Sequence, residues 1–132
     1  MIKIIAIDYG LKKTGVAFFD GNLVQPIDVI RIKDQQKLLV KISQYVLKYQ
    51  PQLIVMGLPE SGELLSVIKK FALQLETFIG IKVTLFEETL TTQEAIVRMN
   101  LLGKTQSQKK KKEDAFAAAL LLEDYLELNN LH

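Results

Sequence analysis

Cysteine is absent from this chain of 132 residues. That excludes a disulfide framework, a thiolate metal site and a thiol nucleophile. Histidine occurs once, as His132 at the last position. A histidine-based triad therefore has no basis, and His132 reads as part of a tail. Long apolar runs are missing as well. The N-terminal run meets Asp8 too early to be the apolar region of a signal peptide. Ala115 to Leu122 falls far short of the roughly 20 residues that a membrane span needs. A soluble, cytoplasmic protein with no membrane partner is expected. Charge of one sign is also scarce, because 17 Lys+Arg against 15 Asp+Glu leave a net +2. So mild a balance names no partner by itself. With no internal repeat and no long linker, residues 1–132 are expected to form one domain.

What is present is clear patterning. Residues 2–9 are β-branched and apolar up to Asp8, then stop at Gly10, as a buried strand does. Residues 15–19 read as a second strand, and Asp20-Gly21-Asn22 is turn chemistry. A third strand near 23–32 contains Pro26, which suits a sheet edge. The period then becomes helical. Leu38, Leu39, Ile42, Tyr45, Val46 and Tyr49 predict a helix over 34–49, closed by Pro51. Leu53 to Met56 is a short buried strand, 62–79 a helix stopped by Gly80, and Ile81 to Phe86 another strand. Thr91-Thr92-Gln93-Glu94 matches a capping box, so a helix is expected from about 92. Residues 103–112 read as a mobile loop and 113–128 as the last helix. The β-β-β-α-β-α-β-α order implies an α/β fold with a mixed five-stranded sheet flanked by helices. Functional groups in such sheets gather beyond the carboxyl ends of the parallel strands.

Acids fall at the ends of three elements that such a sheet would bring to one rim. Asp8 closes the first strand, where it suits either a site or the turn before Gly10. Glu87 and Glu88 follow the last strand, and the pleat lets only one of them face a given site. They equally suit the start of a helix, where the dipole favours acids. Asp114 precedes Ala117, Ala118, Leu121, Leu122 and Tyr125 by 3, 4, 7, 8 and 11 positions, the apolar stripe of the last helix. It too suits a first helical turn. Taken together, carboxylates without His or Cys make an all-oxygen site that fits Mg²⁺ or Mn²⁺ rather than zinc. Two such ions can hold the attacking and leaving oxygens of phosphodiester hydrolysis.

Four stretches carry a family resemblance. They are Ile5-Ala6-Ile7-Asp8-Tyr9-Gly10-Leu11-Lys12-Lys13-Thr14-Gly15-Val16-Ala17, Val55-Met56-Gly57-Leu58-Pro59, Glu87-Glu88-Thr89-Leu90-Thr91-Thr92, and Asp114 through Leu122. In type and order they resemble the YqgF/RuvX family across nearly the whole chain. The resemblance implies an RNase H-like fold, kinship with Holliday-junction resolvases, and maturation of the 5′ end of pre-16S ribosomal RNA. It carries catalytic and metal-binding roles to Asp8, Glu88 and Asp114. The chain departs from the family in having Thr89 where an arginine is usual, and in a short segment after Pro59. Both departures bear on substrate contacts more than on the acids.

Basic residues flank these acids. Lys12 and Lys13 follow Asp8, and Lys109, Lys110, Lys111 and Lys112 precede Asp114. A lysine run is commonly a solvated loop. Beside an acidic site it also suits contact with a phosphate backbone. Arg98 adds little, and no aromatic-rich RNA-binding signature is visible. Gly10 to Gly15 has the glycine spacing of a P-loop, but Val16 and Ala17 stand where Lys and Ser/Thr belong. The expected function is a metal-dependent nuclease acting on precursor rRNA. The alternatives are resolution of branched DNA, nucleic-acid binding without catalysis and, last, an actin-like ATPase, for which the chain is too short.

Overall fold

In the computed structural model, residues 2–59, 62–87 and 106–130 are described, with the side chains of 106–114 excepted. The β-branched opening forms β1 (Ile4–Asp8), followed by β2 (Thr14–Phe19) and β3 (Val24–Ile30). These three pair antiparallel as a meander. After α1 (Gln35–Tyr49), β4 (Leu53–Leu58) joins β1 in parallel. After α2 (Leu64–Ile79), β5 (Val83–Glu87) joins β4 in parallel. The sheet order is β3-β2-β1-β4-β5, with α3 (Gln106–Leu128) after it in the chain. The expected α/β architecture, a mixed five-stranded sheet flanked by helices, is what forms.

β1 lies at the centre, so it is buried on both faces and its sequence is continuously apolar. Ile5 and Ile7 pack with Leu38, Leu39 and Ile42 of α1 and with Ile68, Phe71 and Leu75 of α2. Ile4 and Ala6 point the other way, onto Ala118, Leu121, Leu122 and Tyr125 of α3. One face thus carries α1 and α2, and the other carries α3. Pro26 sits on edge strand β3, which needs no hydrogen-bonded neighbour on its outer side.

Helix ends follow local chemistry. The Asp34 carboxylate accepts from the Lys37 N–H at 3.0 Å and caps α1. Gly80, at φ 72°, closes α2 in the left-handed conformation. Glu76, in the last turn of α2, accepts from the Val83 N–H at 2.8 Å and ties the helix to the start of β5. Tyr45 of α1 donates its hydroxyl to the Asp28 carboxylate on β3. Burial, then this bond, raise the Tyr45 pKa.

One expectation fails. Residues 106–112 are not a loop, because α3 begins at Gln106 and Lys109 to Lys112 lie within it. Gly103, Ser107 and the four consecutive lysines suggest a loop. Lys, Gln and Glu are strong helix formers, however, and no Gly or Pro occurs between 106 and 128. Extending a helix already nucleated downstream costs far less than starting one. The helix expected from about 92 lies outside the described residues.

Candidate functional site

Asp8 ends β1 at the carboxyl rim of the parallel strands and is half-buried. The pleat puts it on the face of Ile4 and Ala6, which is the face that α3 covers. Its cross-strand neighbours carry no side chain. Asp8 pairs with Gly15 on β2, and one step beyond the Ile7–Met56 pair it stands level with Gly57 on β4. The two flanking glycines add no side chain beside the Asp8 carboxylate on that face. This arrangement could not be read from spacing alone, because it depends on the register of three strands.

The turn after Asp8 is held tightly. Tyr9 is buried on the opposite face, 5.0 Å from Phe71 between ring centroids, and its hydroxyl accepts from Gln35 Nε2 at 3.1 Å. At Gly10 a Cβ would lie 2.4 Å from the Lys13 carbonyl oxygen, so the turn closes only without a side chain there. It presents Lys12 and Lys13 exposed at the rim next to Asp8.

The pleat also gives Glu87 a face. Glu87 is exposed, pairs with Leu58, and shares its parity with Val83 and Leu85, which pack toward α1 and α2. Glu87 therefore belongs to the face away from Asp8. Phe86 belongs to the Asp8 face, where its ring lies 5.5 Å from Tyr125 of α3. Glu88 lies outside the described residues. The Asp114 backbone is helical and stands one turn before Ala118, on the stripe whose later members are buried against the sheet. Lys109 to Lys112 occupy the preceding turn of the same helix. Among the described residues no three acids or histidines gather as a metal site, and of Asp8, Glu88 and Asp114 only Asp8 has its side chain described.

Residues 2–128 match the family described as "RuvX: Holliday junction resolvase". The chain belongs to the RuvX family. Two similar relatives bear the name "Putative pre-16S rRNA nuclease". One, from Lachnospira eligens, is 35% identical over 96% of this chain and 97% of its own length. The other, from Listeria monocytogenes serotype 4b, is 34% identical over 98% and 100%. Among solved structures, T. thermophilus RuvC in complex with a Holliday junction substrate superposes with TM-score 0.64 at 12% identity, over 98% of this chain and 97% of that one. The fowlpox virus resolvase with Holliday junction DNA gives TM-score 0.64 at 17% identity, over 98% and 99%. At such identities the likeness speaks for the fold alone. That fold is RNase H-like, as the four sequence stretches of this RuvX-family chain imply.

Proposed function

We propose that this RuvX-family chain is a divalent-metal-dependent nuclease with Asp8, Glu88 and Asp114 as its metal-binding and catalytic carboxylates. The observation that carries this reading is the setting of Asp8: a half-buried carboxylate at the carboxyl end of the central strand, flanked by Gly15 and Gly57, on the face that α3 covers. Asp114 lies on the sheet-facing stripe of that helix by register. Glu88 follows Glu87 by one position, and alternation that puts Glu87 on the wrong face favours Glu88 over it.

Hard oxygen donors without His or Cys suit Mg²⁺ or Mn²⁺. When bound, such ions would polarise the phosphodiester, lower the pKa of the attacking water and stabilise the leaving oxygen. The protein's part is placement. Asp8 is fixed by the β1 register and by the anchored Tyr9. Lys12 and Lys13, with Lys109 to Lys112, hold the phosphate backbone over the acids.

The names of the relatives favour pre-16S rRNA as substrate; the family resemblance points to its 5′ end, and rRNA processing to a cytoplasmic setting. Cleavage of branched DNA is the second reading, favoured by the family description and by the two resolvases that share the fold. Purified protein incubated with precursor 16S rRNA and with a four-way DNA junction, in Mg²⁺ and in Mn²⁺, separates them. The expected result is metal-dependent cutting of the RNA, abolished by Asp8→Asn with the fold intact. Preferential cutting of the junction gives the second reading, and no metal-dependent cutting of either refutes the nuclease.

A further inference from the structure

The modest net charge hides a strong asymmetry. Residues 31–50 contain five cations, Arg31, Lys33, Lys37, Lys41 and Lys48, and one acid, Asp34. The whole chain is only +2, so the remainder is net negative. Lys37, Lys41 and Lys48 stand 4 and 7 positions apart on α1, within about 40° of one another around a helix that turns 3.6 residues per turn. No acid occurs within α1, and the acids nearest in sequence are engaged. Asp34 caps the helix, and Asp28 accepts from Tyr45.

Two of these lysines are held in place. Lys41 Nζ lies 5.3 Å from the centre of the Tyr45 ring, and Lys48 Nζ lies 5.3 Å from that of Tyr49. Tyr49 packs in turn on Phe18, with 4.6 Å between centroids. Cation–π contact orders the ammonium groups and leaves them charged. The half-buried rings serve as seats for the lysines.

The stripe also begins in a telling place. Thr14 pairs with Ile30, so Lys13 and Arg31 leave adjacent strands at the same rim. Gln35, the first residue of α1, bonds to Tyr9, which is covalently next to Asp8. From the Asp8 rim, cations run through Lys12 and Lys13 to Arg31 and Lys33. They then pass down α1, on the face of the sheet opposite Asp8.

We infer that α1 is a second nucleic-acid-binding surface, a track of Lys37, Lys41 and Lys48 that holds the phosphate backbone of RNA beyond the acid rim. A chain engaged at the rim would bend over the Lys12–Lys13 turn and continue along the helix. The partner's chemistry follows from the surface: single positive charges in line along the helix, with no acid within α1 itself. The track therefore reads backbone charge and not sequence. It rests on the nuclease reading only for its direction, since binding is measurable without cleavage.

The test is fluorescence anisotropy with labelled single-stranded RNA in EDTA, titrated at several salt concentrations. Wild type is compared with the triple variants Lys37→Gln/Lys41→Gln/Lys48→Gln and Lys37→Arg/Lys41→Arg/Lys48→Arg. Each phosphate contact contributes about 0.7 to the slope of log affinity against log salt on a single strand. Losing three contacts should flatten the slope by about 2 and weaken low-salt binding at least about tenfold. The Arg variant should keep both. Circular dichroism checks that α1 remains folded. An unchanged slope in the Gln variant overturns the track, as does equal loss in the Arg variant. So does a Gln variant that still binds RNA but loses binding to phosphatidylserine vesicles, because the partner would then be a membrane. Cleavage is read separately in Mg²⁺, so a failure of the nuclease reading leaves the binding result standing.

Discussion

Gly10→Ala probes the turn that carries the functional rim. The new methyl would sit 2.4 Å from the Lys13 carbonyl oxygen. Ordinary carbon–oxygen contacts fall at about 3.3–3.6 Å, so backbone must move by about 1 Å. Gly10 is not among the glycines with positive φ, so close approach alone is at issue. Adding a methyl where none fits costs about 1–3 kcal/mol. The reduced freedom of the unfolded chain returns about 0.4–1 kcal/mol. A net loss of about 1–2 kcal/mol is expected, which for a chain of this size lowers Tm by about 3–10 °C. Thermal and urea denaturation measure it. The comparison is Gly80→Ala, where no atom lies within 4 Å of the added Cβ but φ is 72°. That variant strains the α2 C-cap, costing about 1–2 kcal/mol. It should leave nucleic-acid cleavage intact, whereas Gly10→Ala should impair it by displacing Asp8 and the two lysines. If Gly10→Ala were as stable and as active as wild type, the turn would yield freely and would not fix the rim.

Leu122→Ala should cost about 2–5 kcal/mol by urea denaturation, because Leu122 is fully buried between α3 and the sheet. Thr14→Val should keep or raise stability by about 1–2 kcal/mol, since the buried Thr14 Oγ1 has no hydrogen-bond partner among the described residues. Tyr45→Phe should cost about 1–2 kcal/mol at neutral pH by releasing Asp28. The raised pKa of Tyr45 adds a pH signature. A group whose folded value is raised contributes fully below its unfolded value, about 10 for tyrosine, and loses that contribution as pH rises toward the folded value. Wild type should therefore lose stability above about pH 10, and the Phe variant should lose less. Parallel losses in both proteins would contradict this.

Much of the fold is legible in the sequence because the two hydrophobic periods are strong. The continuous run Ile4 to Ile7 marks a strand buried on both faces, and Leu38, Leu39 and Ile42 mark the inner face of α1. Pro26 announces the edge. The start of α3 was not legible, because charge repulsion among Lys109 to Lys112 and helix propensity point in opposite directions. Asp8 could be chosen from its place at a strand end. The glycines beside it could not, since Gly15 and Gly57 become neighbours only through register. Alternation alone left Glu87 and Glu88 open, and the face of Glu87 follows only from the register of β5. The lysines of α1 were hidden for another reason: an amphipathic reading follows the apolar stripe and treats the rest as solvated.

Mn²⁺ binding by the purified protein, followed by electron paramagnetic resonance, tests the shared carboxylate site most directly. Asp8→Asn, Glu88→Gln and Asp114→Asn should each weaken binding at least about tenfold, since each removes a charged oxygen donor from the same ions. Glu87→Gln, on the opposite face of β5, should bind as wild type does. Wild-type affinity in Asp8→Asn or Asp114→Asn, or a loss in Glu87→Gln as large as in Glu88→Gln, would contradict the site.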